Sequence, residues 1–175
     1  MDPLKPNLDE NSATAEAYNV IDIEASGFGR GSYPIEIGVC LANQECHCFL
    51  IKPESSWVHW SNQAEQIHGI SREIILTHGI SVREVAETLN KLLKGLVIYS
   101  DAWGQDQSWL MKLYDAAGMW PNYKLETIRS LMNETQLNHY HSCQKQAQDK
   151  LHLRRHRASS DARVVQYTLS LVQQK

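Results

Sequence analysis

The stretch Asn19-Val20-Ile21-Asp22-Ile23-Glu24 sets two acids inside an otherwise apolar run, and Ala25-Ser26-Gly27-Phe28 follows directly. Its alternation is that of a β-strand, in which side chains two apart share a face with Cα atoms roughly 6.5–7 Å from each other. Asp22 and Glu24 therefore point together, while Ile21 and Ile23 enter the opposite layer. Two carboxylates side by side raise each other's pKa unless a cation lies between them. Standing alone, such a pair is more often a solvated outer face than a site. Its meaning depends on what the rest of the chain supplies.

Downstream, a turn at 26–31 leads to Pro34-Ile35-Glu36-Ile37-Gly38-Val39-Cys40-Leu41, whose apolar residues again alternate with a strand's period. Residues 46–51 make a third short strand before Pro53, so three successive strands with short connections predict an antiparallel meander. Helical spacing then takes over at Val82, Val85, Ala86, Leu89, Leu92 and Leu93, with Ser81 as N-cap and Gly95 as the stop. Leu96-Val97-Ile98-Tyr99 reads as a buried strand, and a helix follows over roughly 105–117, stopped by Gly118. A weaker strand is expected near Lys124-Leu125 and a helix near 126–133, whereas 134–155 is polar and shows no clear period. A last helix is expected from Ser159, acting as its cap, to Val172. Strands first, then alternating helices and strands, give an α/β layer fold on a mixed sheet. Upstream, residues 1–16 read as a flexible leader, leaving 17–175 as one domain.

Of the 175 residues 42% are hydrophobic and 21% charged, a composition that supports a packed core rather than disorder. The net charge of −3 advertises no polyanion partner, so any nucleic-acid contact must come from local charge. The segment 144–157 carries Lys145, Lys150, Arg154, Arg155 and Arg157 against Asp149, a local +4 suited to a phosphate track. No apolar stretch approaches the roughly 20 residues of a membrane span. The leader lacks an export signal, and four cysteines fit a reducing cytoplasm. Cys46-His47-Cys48 and His139, His141, Cys143 contain no C-x₂-C pair and no matching second half, which argues against structural zinc.

Two further segments carry chemistry. Asp106 follows the buried strand, where open α/β sheets gather their sites. His156-Arg157-Ala158-Ser159-Ser160-Asp161 opens the last helix, with Asp161 in a first turn that favours a carboxylate. Each alone is explained by helix capping. Together, in this order and spacing, they resemble the DEDDh exonuclease family of the RNase T and proofreading-subunit type, which has an RNase H-like fold. Asp22 and Glu24 match its D-x-E, Asp106 and Leu110 its F-D-x-x-x-L, and His156, Ala158, Asp161 and Ala162 its H-x-A-x-x-D-A. Ile35-Glu36-Ile37-Gly38 and Ile67-His68-Gly69-Ile70-Ser71 fit supporting segments, so the resemblance runs from about 18 to 172.

The resemblance implies a 3′→5′ exonuclease that releases nucleoside 5′-monophosphates from the 3′ ends of single-stranded DNA or RNA. Asp22, Glu24, Asp106 and Asp161 would hold two Mg²⁺ or Mn²⁺ ions, which oxygen-only donors favour over zinc. His156 would be the general base. Substrate contacts are expected at Ala25, Gly27, Phe28, His68, Arg155 and Arg157. Phe28, directly after the acid-bearing strand, is the expected base-stacking platform, unless it folds onto the core. Departures are Ala25 where the family commonly has Thr, Gln105 in place of an aromatic, and Asp101 where Asn is common; Asp101 is retained as an alternative to Asp106. The rival readings are a catalytically inactive exonuclease-fold module that binds nucleic acid and an RNase H-like endonuclease, and a homodimer is left open.

Overall fold

The computed structural model describes residues 17–175. The leader expected at 1–16 lies outside them. Three strands, β1 (Val20–Ala25), β2 (Pro34–Cys40) and β3 (Cys46–Leu50), form the antiparallel meander. Two more, β4 (Val97–Ser100) and β5 (Lys124–Thr127), extend it in parallel beside β1, giving one mixed five-stranded sheet of order β3-β2-β1-β4-β5. Helices α1 (Asn62–His68), α2 (Arg72–His78), α3 (Val82–Leu92), α4 (Trp103–Ala117), α5 (Glu134–Leu151) and α6 (Ala158–Val172) flank it.

Alternation along β1 and β2 divides the core into two layers. Ile21, Ile23, Ile35 and Ile37 pack with α3 and α4 through Val85, Leu89, Leu110 and Leu113. Val20 and Cys40 turn the other way, toward Val165, Leu169 and Val172 of α6 and Tyr140 and Cys143 of α5. Asp22 and Glu24 share the α6 side with Val20, because residues two apart on a strand share a face. Their partners across β2 are Gly38 and Glu36. Gly38 lacks a side chain for a steric reason: a Cβ there would sit 2.1 Å from the Ala158 carbonyl carbon. The N-terminus of α6 thus lies directly on the sheet, next to the acid pair.

Most helix signals hold. Ser81 caps α3 by accepting the Glu84 amide, and Gly118 ends α4 in the left-handed region. Four readings change. The short helices α1 and α2, capped by Ser61 and Ser71, fill a segment with no predicted element. The helix expected at 126–133 is the end of β5 plus a 3₁₀ turn at Ile128–Leu131. The stretch 134–155 is mostly α5, opened by a capping box between Asn133 and Gln136. Ser159 does not cap α6; the helix begins one residue earlier, and Arg157 at its N-cap offers no side-chain cap. Cys40 and Cys46 are register partners across β2 and β3 and are joined as a disulfide. That pairing removes the cysteine argument for a reducing compartment. No helix among the described residues is long and apolar enough to cross a membrane.

Candidate active site

A cavity of about 600 Å³ opens at the C-terminal ends of β1 and β4. Asp22, Glu24, Asp106, His156 and Asp161 all line it, brought from β1, α4 and the start of α6. Glu24, His156 and Asp161 come closest, presenting metal-ligating atoms that all lie within 4.8 Å of one another. The His156 amide donates to Asp161 Oδ2 at 2.9 Å, closing the turn before α6. His156 adopts φ +58°, a left-handed conformation that costs a non-glycine residue about 1–3 kcal/mol and that neighbouring structure must hold in place.

Asp106 is buried in the first turn of α4. One oxygen, Oδ2, accepts a short hydrogen bond from the Ser100 hydroxyl, and Oδ1 is buried without a partner. Asp101, the sequence alternative, is exposed and does not line this cavity.

The electrostatics are those of an acid cluster with too little positive charge. Burial, then the charges of Asp106, Glu24, Asp101 and Asp161, push Asp22 well above the carboxylate range. Burial and Asp161 raise Glu24 to about 7, and burial chiefly raises Asp106 to about 8. Asp161 also lies above its ordinary value through burial, although the His156 amide, His156 and Arg155 pull the other way. Four acids held together in this way, one with an orphaned oxygen, fit divalent cations: the hard oxygen donors are there, and a cation would supply the missing charge. Asp106 offers a buried oxygen without a partner, and Asp22, Glu24 and Asp161 line the same cavity.

The rim differs from the floor. Phe28 is 76% exposed, so it does not fold onto the core; its ring lies 5.9 Å from that of Trp109. Gly27 holds the turn beneath it at φ +140°, where a Cβ would come within 2.7 Å of the Ser61 Cβ. Ala25 is buried at the end of β1, and His68 is buried with Nδ1 accepting the Ile70 amide. Burial holds His68 below the ordinary histidine range. Ala25, Gly27, Phe28 and His68 all line the cavity.

The two expected arginine contacts separate. Arg155 is exposed and close enough to act on Asp161. Arg157 instead pairs with buried Glu36, and neither arginine lines the cavity. Ser100 and Trp109 are site residues that sequence reasoning missed. Trp109 had a signal, since three residues beyond Asp106 on a helix is the same face. Ser100 had none, because its role depends on how α4 folds back on the end of β4.

No family model and no curated protein matches the chain. Solved structures do. Exonuclease I without ligand superposes with a TM-score of 0.70 at 11% identity, over 91% of this chain and 42% of that one. E. coli exonuclease I in complex with a dA16 oligonucleotide gives 0.71 at 12%, over 91% and 41%. The moderately thermophilic exonuclease I from Methylocaldum szegediense gives 0.65 at 12%, over 91% and 40%. The chain thus spans about two fifths of the length of the structures it matches. At such identities the likeness is one of fold, and the fold it shows is the RNase H-like mixed sheet of exonuclease I.

Proposed function

We propose that residues 17–175 form a single exonuclease domain, which hydrolyses the terminal phosphodiester of single-stranded nucleic acid from its 3′ end with the help of divalent metal. The observation that carries this reading is the convergence of Asp22, Glu24, Asp106, His156 and Asp161 on one cavity, beneath an exposed aromatic rim. Asp22, Glu24, Asp106 and Asp161 would hold Mg²⁺ or Mn²⁺, as their oxygen-only donors favour. Such a metal would neutralise the acid cluster and supply Lewis-acid activation of water and of the leaving oxygen.

The chain's own residues do the rest. His156, fixed by its amide on Asp161, takes the proton of the attacking water. Phe28, with Trp109 behind it, offers a face on which the terminal base stacks, worth about 1–3 kcal/mol whatever the base. The product is a nucleoside 5′-monophosphate. Solved exonuclease I complexes contain dA16 and dT13 oligonucleotides, which favours single-stranded DNA as the first substrate to try.

The test is release of mononucleotides from 3′-labelled and 5′-labelled DNA and RNA oligonucleotides with Mg²⁺, and again with chelator. Early loss of the 3′ label, abolished by chelator, is expected. Binding of the oligonucleotide with no release would make the chain a binding module, and cleavage of closed circles would make it an endonuclease.

A further inference from the structure

Glu36 exposes none of its surface, yet it is an acid on a strand whose neighbours are apolar. Both of its oxygens are occupied: Arg157 Nε lies 3.0 Å from Oε1 and 3.1 Å from Oε2, Arg157 Nη2 also donates to Oε1, and the Ala158 amide donates to Oε2 at 2.8 Å. The carboxylate therefore supplies what α6 lacks locally, since the helix N-cap contributes no side-chain hydrogen bond. An anion at the first free amide of a helix is also favoured by the helix dipole. Two residues along β2, Gly38 lets the same turn of backbone settle onto the sheet.

Glu36 is the cross-strand partner of Glu24, and Arg157 directly follows His156. Strand, clamp and turn thus form one rigid path from an acid of the cavity floor to the histidine in its left-handed conformation. Neither Glu36 nor Arg157 lines the cavity. We infer that Glu36 and Arg157 are positioning residues that set His156 and Asp161 against Glu24, and so control turnover rather than substrate affinity. The inference rests on the exonuclease reading above for its kinetic part only. The planar guanidinium fork matters here, because lysine keeps the charge but cannot donate to both carboxylate oxygens in a fixed plane.

The experiment uses the full chain with three variants: Glu36→Met combined with Arg157→Leu, Arg157→Lys, and Glu36→Gln. Buried ion pairs replaced by apolar side chains of similar size often leave stability unchanged, so the double variant separates folding from positioning. It is expected to melt near the wild type. Its kcat on a 3′-labelled single strand should fall about 10–100-fold, the scale of a misplacement of about 1 Å. KM should move by less than about threefold, since uniform binding is untouched. Arg157→Lys should fall between the two. In metal-free protein, amide hydrogen exchange at 156–161 should quicken in the double variant while 20–25 stays protected.

Unchanged kcat and exchange at a retained melting temperature would overturn the inference, leaving the pair a structural contact. A raised KM at unchanged kcat would also overturn it and make Arg157 a substrate contact. If the double variant does not fold, Glu36→Gln is read by the same measurements. If the wild type releases no nucleotide, the exonuclease reading fails on its own, and hydrogen exchange alone still decides whether the clamp holds the turn.

Discussion

Glu36 and Asp106 are both buried carboxylates, 0% and 1% exposed, and their chemistry is opposite. Glu36 has a cation and a backbone amide on its oxygens. Burial pushes it up, but Arg157 and the Ala158 amide more than offset this, and it lies below the ordinary glutamate range. Asp106 has one hydroxyl and an empty oxygen, among other acids, and is pushed up to about 8. Burial alone therefore does not mark a site. What marks it is a buried acid whose partner is missing from the protein, because such a group is costly unless something from solution completes it.

The comparison is most open to attack at Asp106. Asp106→Asn keeps its shape and removes its charge, so mononucleotide release should fall to background, a loss of at least about 10²–10³-fold on the scale of a preorganised electrostatic group. An oligonucleotide digestion with Mg²⁺ measures this. Full activity would move the role to exposed Asp101.

His156→Ala should lower turnover by about 10²–10⁴-fold and leave Mg²⁺ affinity nearly unchanged, with partial recovery as pH rises. Kinetics and calorimetry on the same preparation check both parts. A variant that loses metal would make His156 a ligand, which its closeness to Glu24 and Asp161 permits.

Stability without metal sharpens the contrast through its sign. Glu24 and Asp106 keep protons to about 7 and about 8 in the folded chain, whereas unfolded carboxyls release them near about 4. The folded state binds more protons across that window, so metal-free stability should fall as pH rises through it. Glu36 has the opposite linkage: its contribution is present above the unfolded pKa and lost as pH falls below it. Asp106→Asn should therefore melt above the wild type at about pH 8 and level with it at about pH 4. Glu36→Gln should melt lower at about pH 8, by about 1.5–3 kcal/mol for hydrogen bonds to a charged group, and the deficit should shrink in acid. Thermal scans in chelator at both pH values would show the two shifts. Shifts of the same sign would collapse the distinction.

The smallest effect belongs to the rim. Phe28→Ala should weaken single-strand binding by about 1–3 kcal/mol, alike for different terminal bases, with little change in melting temperature. Fluorescence anisotropy with four oligonucleotides differing in the last base is the measurement. An unchanged affinity would remove Phe28 as the stacking platform.

Local pattern made much of this legible. Strand alternation alone put Asp22 and Glu24 on one face, and the opening of a helix alone put Asp161 in its first turn. Helix α5 escaped because its buried positions are Tyr140, Cys143 and Ala147, spaced for a helix but too weakly apolar to stand out among polar neighbours. Its capping box at Asn133 and Gln136 was the signal available.

What the sequence determined by itself was periodicity and order: which residues face the same way, and the succession of acid pair, middle aspartate and histidine turn. These follow from backbone geometry over a few residues. Tertiary structure alone decided which partner each charge received. Arg157 lies beside His156 in a basic stretch and reads as a phosphate contact, yet it turns to Glu36, 121 positions away. Ser159 reads as a helix cap, yet the same distant carboxylate holds the first amide. Charges and hydrogen-bonding groups are satisfied by whatever the fold brings within about 3 Å, and that distance has no counterpart along the chain.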